Sequence, residues 1–415
     1  MARPDAIASP RDGFRFEYDP GVVRFGSGSA AELVDELDRQ GIERALVVCG
    51  STVGSTPDVI DPVTEGLGDR LAGVFAETTP EKRLATAYDG LDAVSEHDAD
   101  ALVALGGGSS LDVATLISAL SADDRDPEAV GRELADTSSI TVPDGDLLPV
   151  VGVPTTLAGA DLSAVAGVTA SPDSGLVEPD DVPAGTDAVG GGVSDPRLMP
   201  AATVYDPELF ATTPERVLAA SAMNGFDKGV ETLYASNATP VTDATAARGL
   251  GLLADGLRRL GDEGPTAEVL EPVVEGILLV QYGISRPGET TLSVIHAFGH
   301  GLTRTSDVQQ GAAHAVIAPH ALRYLFERVD ARRDLLADAL GAPDAADPAE
   351  AVVDAVTEVR DALGLPARLR DVDGPEPEAF PQVAEEIVAD SFIANAPPGL
   401  AVRAEEIEAV LREAY

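Results

Sequence analysis

Leu102–Asp112 reads LVALGGGSSLD. An apolar run leads straight into Gly106-Gly107-Gly108-Ser109, and a helical pattern follows through Leu120. A short uninterrupted apolar run suits a strand buried on both faces. Glycines at its end let the backbone approach a diphosphate without Cβ clashes. The helix that follows offers N–H groups and a partial positive charge. Gly106, Gly107, Gly108 and Ser109 are therefore candidate phosphate-binding residues. The spacing is not the GxGxxG of the usual dinucleotide fingerprint, and a tight turn with no ligand accounts for the glycines equally well.

The same alternation extends to both sides. Arg15–Tyr18, Val22–Phe25, Ala45–Cys49, Ala72–Ala76 and Leu148–Val153 read as further strands. Ser29 is expected to cap a helix through Asp38, Pro57–Leu67 is a helix, and Thr79 is expected to cap another over Pro80–Ser95. Strands alternating with amphipathic helices predict a parallel sheet covered on both faces. Asp123–Asp146 reads as an acidic surface excursion, and Ser171–Asp195 as a loop or hairpin. Beyond Asp206-Pro207 nearly every stretch has helical period, from Val217–Ser236 to Ala404–Glu413. The fold class is α/β plus all-α. Residues 1–207 are expected to form a Rossmann-like domain, and 208–415 a helical one.

The chain has 415 residues and a formal charge of −43, which sets it against nucleic acid and anionic membrane as partners. Hydrophobic residues make up 44% and recur throughout, so this charge does not signal disorder. Of 28 basic residues only Lys82 and Lys228 are lysines. Acidic, lysine-poor composition resembles that of proteins from salt-accumulating halophiles, in which concentrated salt screens the self-repulsion. One cysteine, Cys49, excludes an intramolecular disulfide and zinc sites built on cysteine pairs. No apolar core of a signal peptide opens the chain, and no run approaches a membrane span. A cytoplasmic location is expected.

A second loop follows the LPVVGV strand, Pro154-Thr155-Thr156-Leu157-Ala158-Gly159. Hydroxyls and a glycine at the carboxyl end of a strand suit a cofactor crevice, which makes Thr155 and Thr156 candidates. With Gly106–Ala114, Asp195–Pro200, Val204–Leu209, Met223–Tyr234, Ile295–His300 and Pro319-His320, this pattern resembles the iron-containing alcohol dehydrogenase superfamily. PTTLAG, DPRLMP and Asn224 are most similar to the maleylacetate reductase branch. The resemblance implies a dehydroquinate synthase-like fold with the active site between the two domains, and a small alcohol, carbonyl or keto acid substrate. It also implies NAD or NADP as cofactor and a GGGSxxDxAK loop that adds Asp112 to the cofactor residues. A homodimer is in keeping with the family. The motif lysine is Thr115 here. The strand ending Cys49-Gly50-Ser51-Thr52 carries no carboxylate to repel a 2′-phosphate, which tilts the expectation toward NADP.

In metal-dependent members, four side chains hold the ion: an Asp and a His four apart on one helix, then two His fourteen apart. Carried over, these positions are Asn224, Lys228, His296 and Gln310. Neutral amides are weak ligands and an ammonium repels a cation, so no metal is expected. Lys228 is instead expected to polarise the carbonyl; otherwise it is an exposed lysine paired with Asp227 or Glu231. The resemblance makes His300 the proton relay and His314 a substrate contact, while His320 caps or packs. Other readings remain open: a metal held by His296, His300 and His314, a metal-dependent enzyme with rearranged ligands, or an inactive cofactor-binding homologue. Core histidines joined by hydrogen bonds would also account for the cluster.

Overall fold

The computed structural model describes residues 13–183 and 186–415. Residues 1–12, where no signal-peptide core is read, lie outside the described residues. The chain divides into two compact units. One comprises residues 18–156 and 160–212, the other 213–415 with residues 157–159 and 13–17.

The first unit is built on strands β1 (Val22–Phe25), β2 (Ala45–Gly50), β3 (Leu71–Thr78), β4 (Ala101–Gly106), β6 (Val150–Pro154) and β9 (Ala202–Tyr205). They form one parallel sheet in the order β1-β9-β6-β4-β2-β3. Side chains alternate across a strand. Ala45, Val47 and Cys49 of β2 join Ala101, Val103 and Leu105 of β4 on one face, with helices α1 (Leu33–Gln40) and α3 (Pro57–Leu67). Leu46, Val48, Leu102 and Ala104 face the other way, against α4 (Leu84–Glu96) and α5 (Gly108–Leu120). Both faces are covered, which is why these strands are apolar without interruption. Cys49 is fully buried, and burial pushes its thiol up to about 11.

Several local readings need correction. Arg15–Tyr18 forms no strand. Ser29 caps no helix: its hydroxyl donates to Tyr205 O, and residues 29–32 make a 3-10 turn before α1. The helix expected from Pro80 starts at Leu84, because Lys82 takes a left-handed φ of 54° and Thr169 N donates to Lys82 O at 3.1 Å. The acidic excursion contains a helix, α6 (Pro127–Thr137), and a short strand, β5 (Ser139–Ile140). Val165–Ala170 (β7) and Val189–Ser194 (β8) form an antiparallel pair that β5 extends.

Helices α2 (Ser51–Ser55) and α7 (Pro207–Phe210) complete this unit. Asp206 ties its first turn to its last strand. The carboxylate is 2% exposed and accepts the backbone N–H groups of Gly28, Ala30 and Glu208, each at 3.0 Å.

The second unit holds α8 (Glu215–Tyr234), α9 (Pro240–Glu263), α10 (Ala267–Gln281), α11 (Val294–Thr305), α12 (Gln310–Phe326), α13 (Arg333–Ala339), α14 (Pro348–Ala362), α15 (Phe380–Ala389) and α16 (Ala404–Glu413). A two-residue hairpin, β10 (Ser285–Arg286) and β11 (Glu289–Thr290), interrupts the helices; its shortness hides it from periodicity. Helix α8 packs on α9, α10 and α12, and α11 packs on α12. Among the described residues no helix is long and apolar enough to cross a membrane.

Replacing Asp206 by alanine strands three backbone donors, two of which it holds in the Gly28–Ala30 turn. The expected loss is about 3 kcal/mol. A urea unfolding curve for Asp206→Ala beside the unaltered chain measures it.

Candidate active site

In the first unit, Gly106 ends β4 with φ 133°, a conformation that favours glycine, and its carbonyl accepts Thr155 N at 2.9 Å. Gly107 stands at the N-cap position of α5, with no side chain to cap it. A Cβ on Gly107 would lie 3.0 Å from the methyl of Thr156. The two loops read from the sequence thus meet: Gly106, Gly107 and Gly108 run beside Thr155, which is buried, and Thr156, which is half-buried. Ser109 is half-buried in the first turn of α5, and Asp112 follows one turn on, paired with Lys82 at 2.5 Å. Such an uncapped helix start suits the diphosphate of a dinucleotide.

In the second unit, α8 carries Asn224, Asp227, Lys228 and Glu231 within two turns. Gly225 lets this helix come close to residues 157–159, since a Cβ there would lie 2.1 Å from the Leu157 carbonyl oxygen. Lys228, three residues on, then donates from Nζ to the Gly159 carbonyl at 2.6 Å and lies 3.4 Å from Gln281 Oε1. Asp227 and Glu231, on the same helix, are fully buried, and their carboxyls lie against His314 and His296.

Glu231 holds His296. Its Oε1 accepts the His296 backbone N–H at 2.9 Å, and its Oε2 meets Nδ1 of the ring. Burial lifts the Glu231 carboxyl to about 7, against hydrogen bonds that favour its ionisation. Burial and the Lys228 charge hold His296 well below the imidazole range. Glu231 Oε2 and His296 Nδ1 thus share one hydrogen bond, and Nε2 lies 3.1 Å from Asn224 Oδ1.

His314 packs edge-on to His296 with ring centroids 4.4 Å apart and is wholly enclosed. Its Nδ1 is 3.3 Å from Asp227 Oδ2, without the alignment of a hydrogen bond. Burial and the nearby Glu231 drive the Asp227 carboxyl well above its usual range, and burial drives His314 well below. His314 has no exposed surface and lies behind His296.

His300, one turn beyond His296, is partly exposed, and its Nδ1 bonds Asp390 Oδ2 at 2.9 Å. Asp390 also forms an ion pair with Arg304 at 3.0 Å and accepts from the Phe392 amide at 3.0 Å, and the Phe392 ring lies against His300. Burial pushes the Asp390 carboxyl up, but these bonds and charges outweigh it and keep the group ionised. With Nδ1–H committed to the carboxylate, Nε2 is the nitrogen left for proton exchange. Gln310 is the first residue of α12, half-buried. His320 sits half-buried within α12, its pKa lowered by burial.

Sequence reading missed Glu231, Gln281, Asp390 and Phe392. Glu231 does have a signal: an acidic residue on the face of a helix that is otherwise buried. Gln281 and Asp390 have none, because they meet the cluster only through folding. Among the described residues, no three His, Cys, Asp or Glu side chains converge as a metal site would require.

A parallel sheet with a bare-glycine helix start in one unit and buried histidines in a helical unit are the features to set against known enzymes, and the similar proteins are dehydrogenases and reductases that interconvert alcohols and carbonyls. The model of the iron-containing alcohol dehydrogenases matches residues 20–207, and that of the family's C-terminal part matches 218–415. The chain belongs to the iron-containing alcohol dehydrogenase family, near its maleylacetate reductase branch. It is 27% identical over 403 residues to a maleylacetate reductase of Burkholderia cepacia, covering 97% of each chain. To an NAD-dependent methanol dehydrogenase of Bacillus methanolicus it is 24% identical over 358 residues, 84% of this chain and 87% of that one. The fold matches the maleylacetate reductase structure from Agrobacterium tumefaciens with a TM-score of 0.76 at 22% identity, over 97% and 98% of the chains.

The native state holds the Glu231 proton more tightly than the unfolded chain does. Its contribution to stability is complete below the unfolded value of 4.5 and is lost as pH rises through about 7. The neutral histidines give the opposite slope, with stability lost as pH falls through and below 6.5. Glu231→Gln removes only the first effect. Urea midpoints between about pH 5 and about pH 8 should fall less steeply with pH in this variant.

Proposed function

We propose that the chain is a cytoplasmic, salt-adapted NAD(P)-dependent carbonyl reductase and alcohol dehydrogenase in which the ammonium of Lys228 replaces the family's metal ion. The observation that carries this reading is the fixed Lys228 ammonium, held by the Gly159 carbonyl at a family ligand position. The donor set does not fit a divalent cation. It offers two neutral amides, an ammonium and one imidazole whose Nε2 is engaged with Asn224. Residues 1–207 serve as the dinucleotide-binding domain and 208–415 as the catalytic domain.

Gly106, Gly107, Gly108 and Ser109 bind the cofactor diphosphate with Thr155 and Thr156, and Asp112 accepts a ribose hydroxyl. Bound there, the nicotinamide supplies or receives the hydride at the carbonyl carbon. Lys228 stabilises the oxyanion that develops on the substrate, with Asn224 and Gln310 as amide donors beside it. His296 is fixed by Glu231 and orients Asn224. His300, backed by Asp390, delivers the proton to the oxygen in reduction and takes it back in oxidation. Keto acids of the maleylacetate type lead the substrate classes, on the likeness to that branch.

Two measurements test this in concentrated salt. Purified enzyme should carry no stoichiometric divalent metal and keep its rate in chelator. Lys228→Met should lose about 100-fold to about 1000-fold in kcat, the cost of removing one oxyanion donor, with cofactor affinity unchanged. Chelator-sensitive activity restored by added iron or zinc would instead return the family's metal to the site.

The cofactor choice follows from the end of β2. It passes through Gly50 into exposed Ser51 and Thr52 of α2, with no carboxylate. NADPH should serve at least as well as NADH. Ser51→Asp should lower kcat/KM for NADPH about tenfold or more, a cost of about 1.4 kcal/mol, and leave that for NADH nearly intact.

A further inference from the structure

Lys82 is one of the two lysines in the chain, and the reaction described above does not use it. It lies in the turn after β3, and its Nζ reaches Asp112 Oδ2 at 2.5 Å. β3 and β4 are parallel strands of one sheet with β2 between them, so the β3 turn and the glycine loop after β4 share the carboxyl edge. A second link joins them, Thr78 Oγ1 to Ser110 Oγ at 2.9 Å. Asp112 stands four residues after Gly108, about 6 Å along α5 and just over one turn. The ammonium is thereby held on the first turns of the helix that the glycine loop begins.

The backbone is shaped to place it there. Lys82 adopts a left-handed φ of 54°, which a side-chain-bearing residue takes only when its surroundings hold it. Its N–H donates to Thr79 O at 3.1 Å and its carbonyl accepts from Thr169 N at 3.1 Å. On β7, Gly167 faces the pair. A Cβ there would stand 3.5 Å from Nζ and 3.6 Å from Oδ2, so a larger side chain would cover both. The pair stays reachable, with Lys82 33% and Asp112 13% exposed. Thr115, where the family motif carries its lysine, is enclosed at 6%.

We propose that Lys82 is a dinucleotide-binding residue: its ammonium offsets the Asp112 carboxylate and meets the diphosphate of NAD(P)H at the Gly106–Ser109 loop. Without it, Asp112 presents an unbalanced negative charge to two phosphates, in a chain whose net charge is already −43. Concentrated salt weakens exposed pairs, and a partly buried one keeps more of its strength. The inference rests on the reading that residues 106–112 hold a dinucleotide.

The test is titration of NADPH and NADH by the fluorescence of the reduced cofactor, with Lys82→Gln, Lys82→Arg and the unaltered enzyme. Circular dichroism and thermal unfolding without cofactor are recorded alongside. Lys82→Gln is expected to bind both cofactors at least tenfold more weakly, and Lys82→Arg, which keeps the charge, within about fivefold of the unaltered enzyme. Lys82→Gln that melts earlier yet binds within twofold makes Lys82 a structural strut and overturns the proposal. Equal losses in both variants overturn it as well, because charge would not be what binds. An unaltered enzyme that binds neither cofactor sinks the dinucleotide reading itself.

Discussion

The helical unit is organised by one constraint: polar side chains on a buried helix need partners. Helix α8 places Asn224, Asp227, Lys228 and Glu231 within two turns, and Asp227 and Glu231 are fully buried. Each is satisfied, or left neutral, in its own way. Glu231 takes the backbone and ring of His296, and Lys228 takes a carbonyl of residues 157–159. Asp227 stays protonated beside a neutral imidazole. The orientation of α11 follows, because His296 must arrive with both its amide and its ring facing Glu231.

Burial alone would make the whole cluster uncharged. Two groups resist it. The Lys228 ammonium is held by the Gly159 carbonyl, with the Gln281 side-chain oxygen nearby, and Asp390 remains an anion because His300, Arg304 and an amide surround it. A lysine and an anion thus stand in a cluster whose Asp227, Glu231, His296 and His314 are pushed toward neutrality. Chemistry that shifts charge on a substrate oxygen needs such fixed poles more than it needs many polar groups.

The fold was largely readable from the chain. ALVVC and LVALG alternate between two apolar faces, and only a sheet covered on both sides makes that pattern stable. Boundaries failed where tertiary contacts overrule local preference. Thr79-Pro80 looks like a helix start, yet the bridge from Thr169 to Lys82 delays the helix to Leu84. At the site, residues on one helix were legible because spacing fixes a shared face: Asn224 with Lys228, His296 with His300. Partners distant in sequence, such as Gln281 and Asp390, were not, since nothing local marks them. The enclosure of His314 was not legible either, because the sequence shows the imidazole but not what packs around it.

Cys49 lies near the carboxyl end of β2 with its thiol protonated at neutral pH and shut away from solvent. It is the chain's sole sulfhydryl. An alkylating reagent therefore finds nothing to modify while the sheet is closed, and its rate of uptake tracks how often the strands part. The molecule carries its own gauge of sheet breathing, one that needs no engineered label and no background correction.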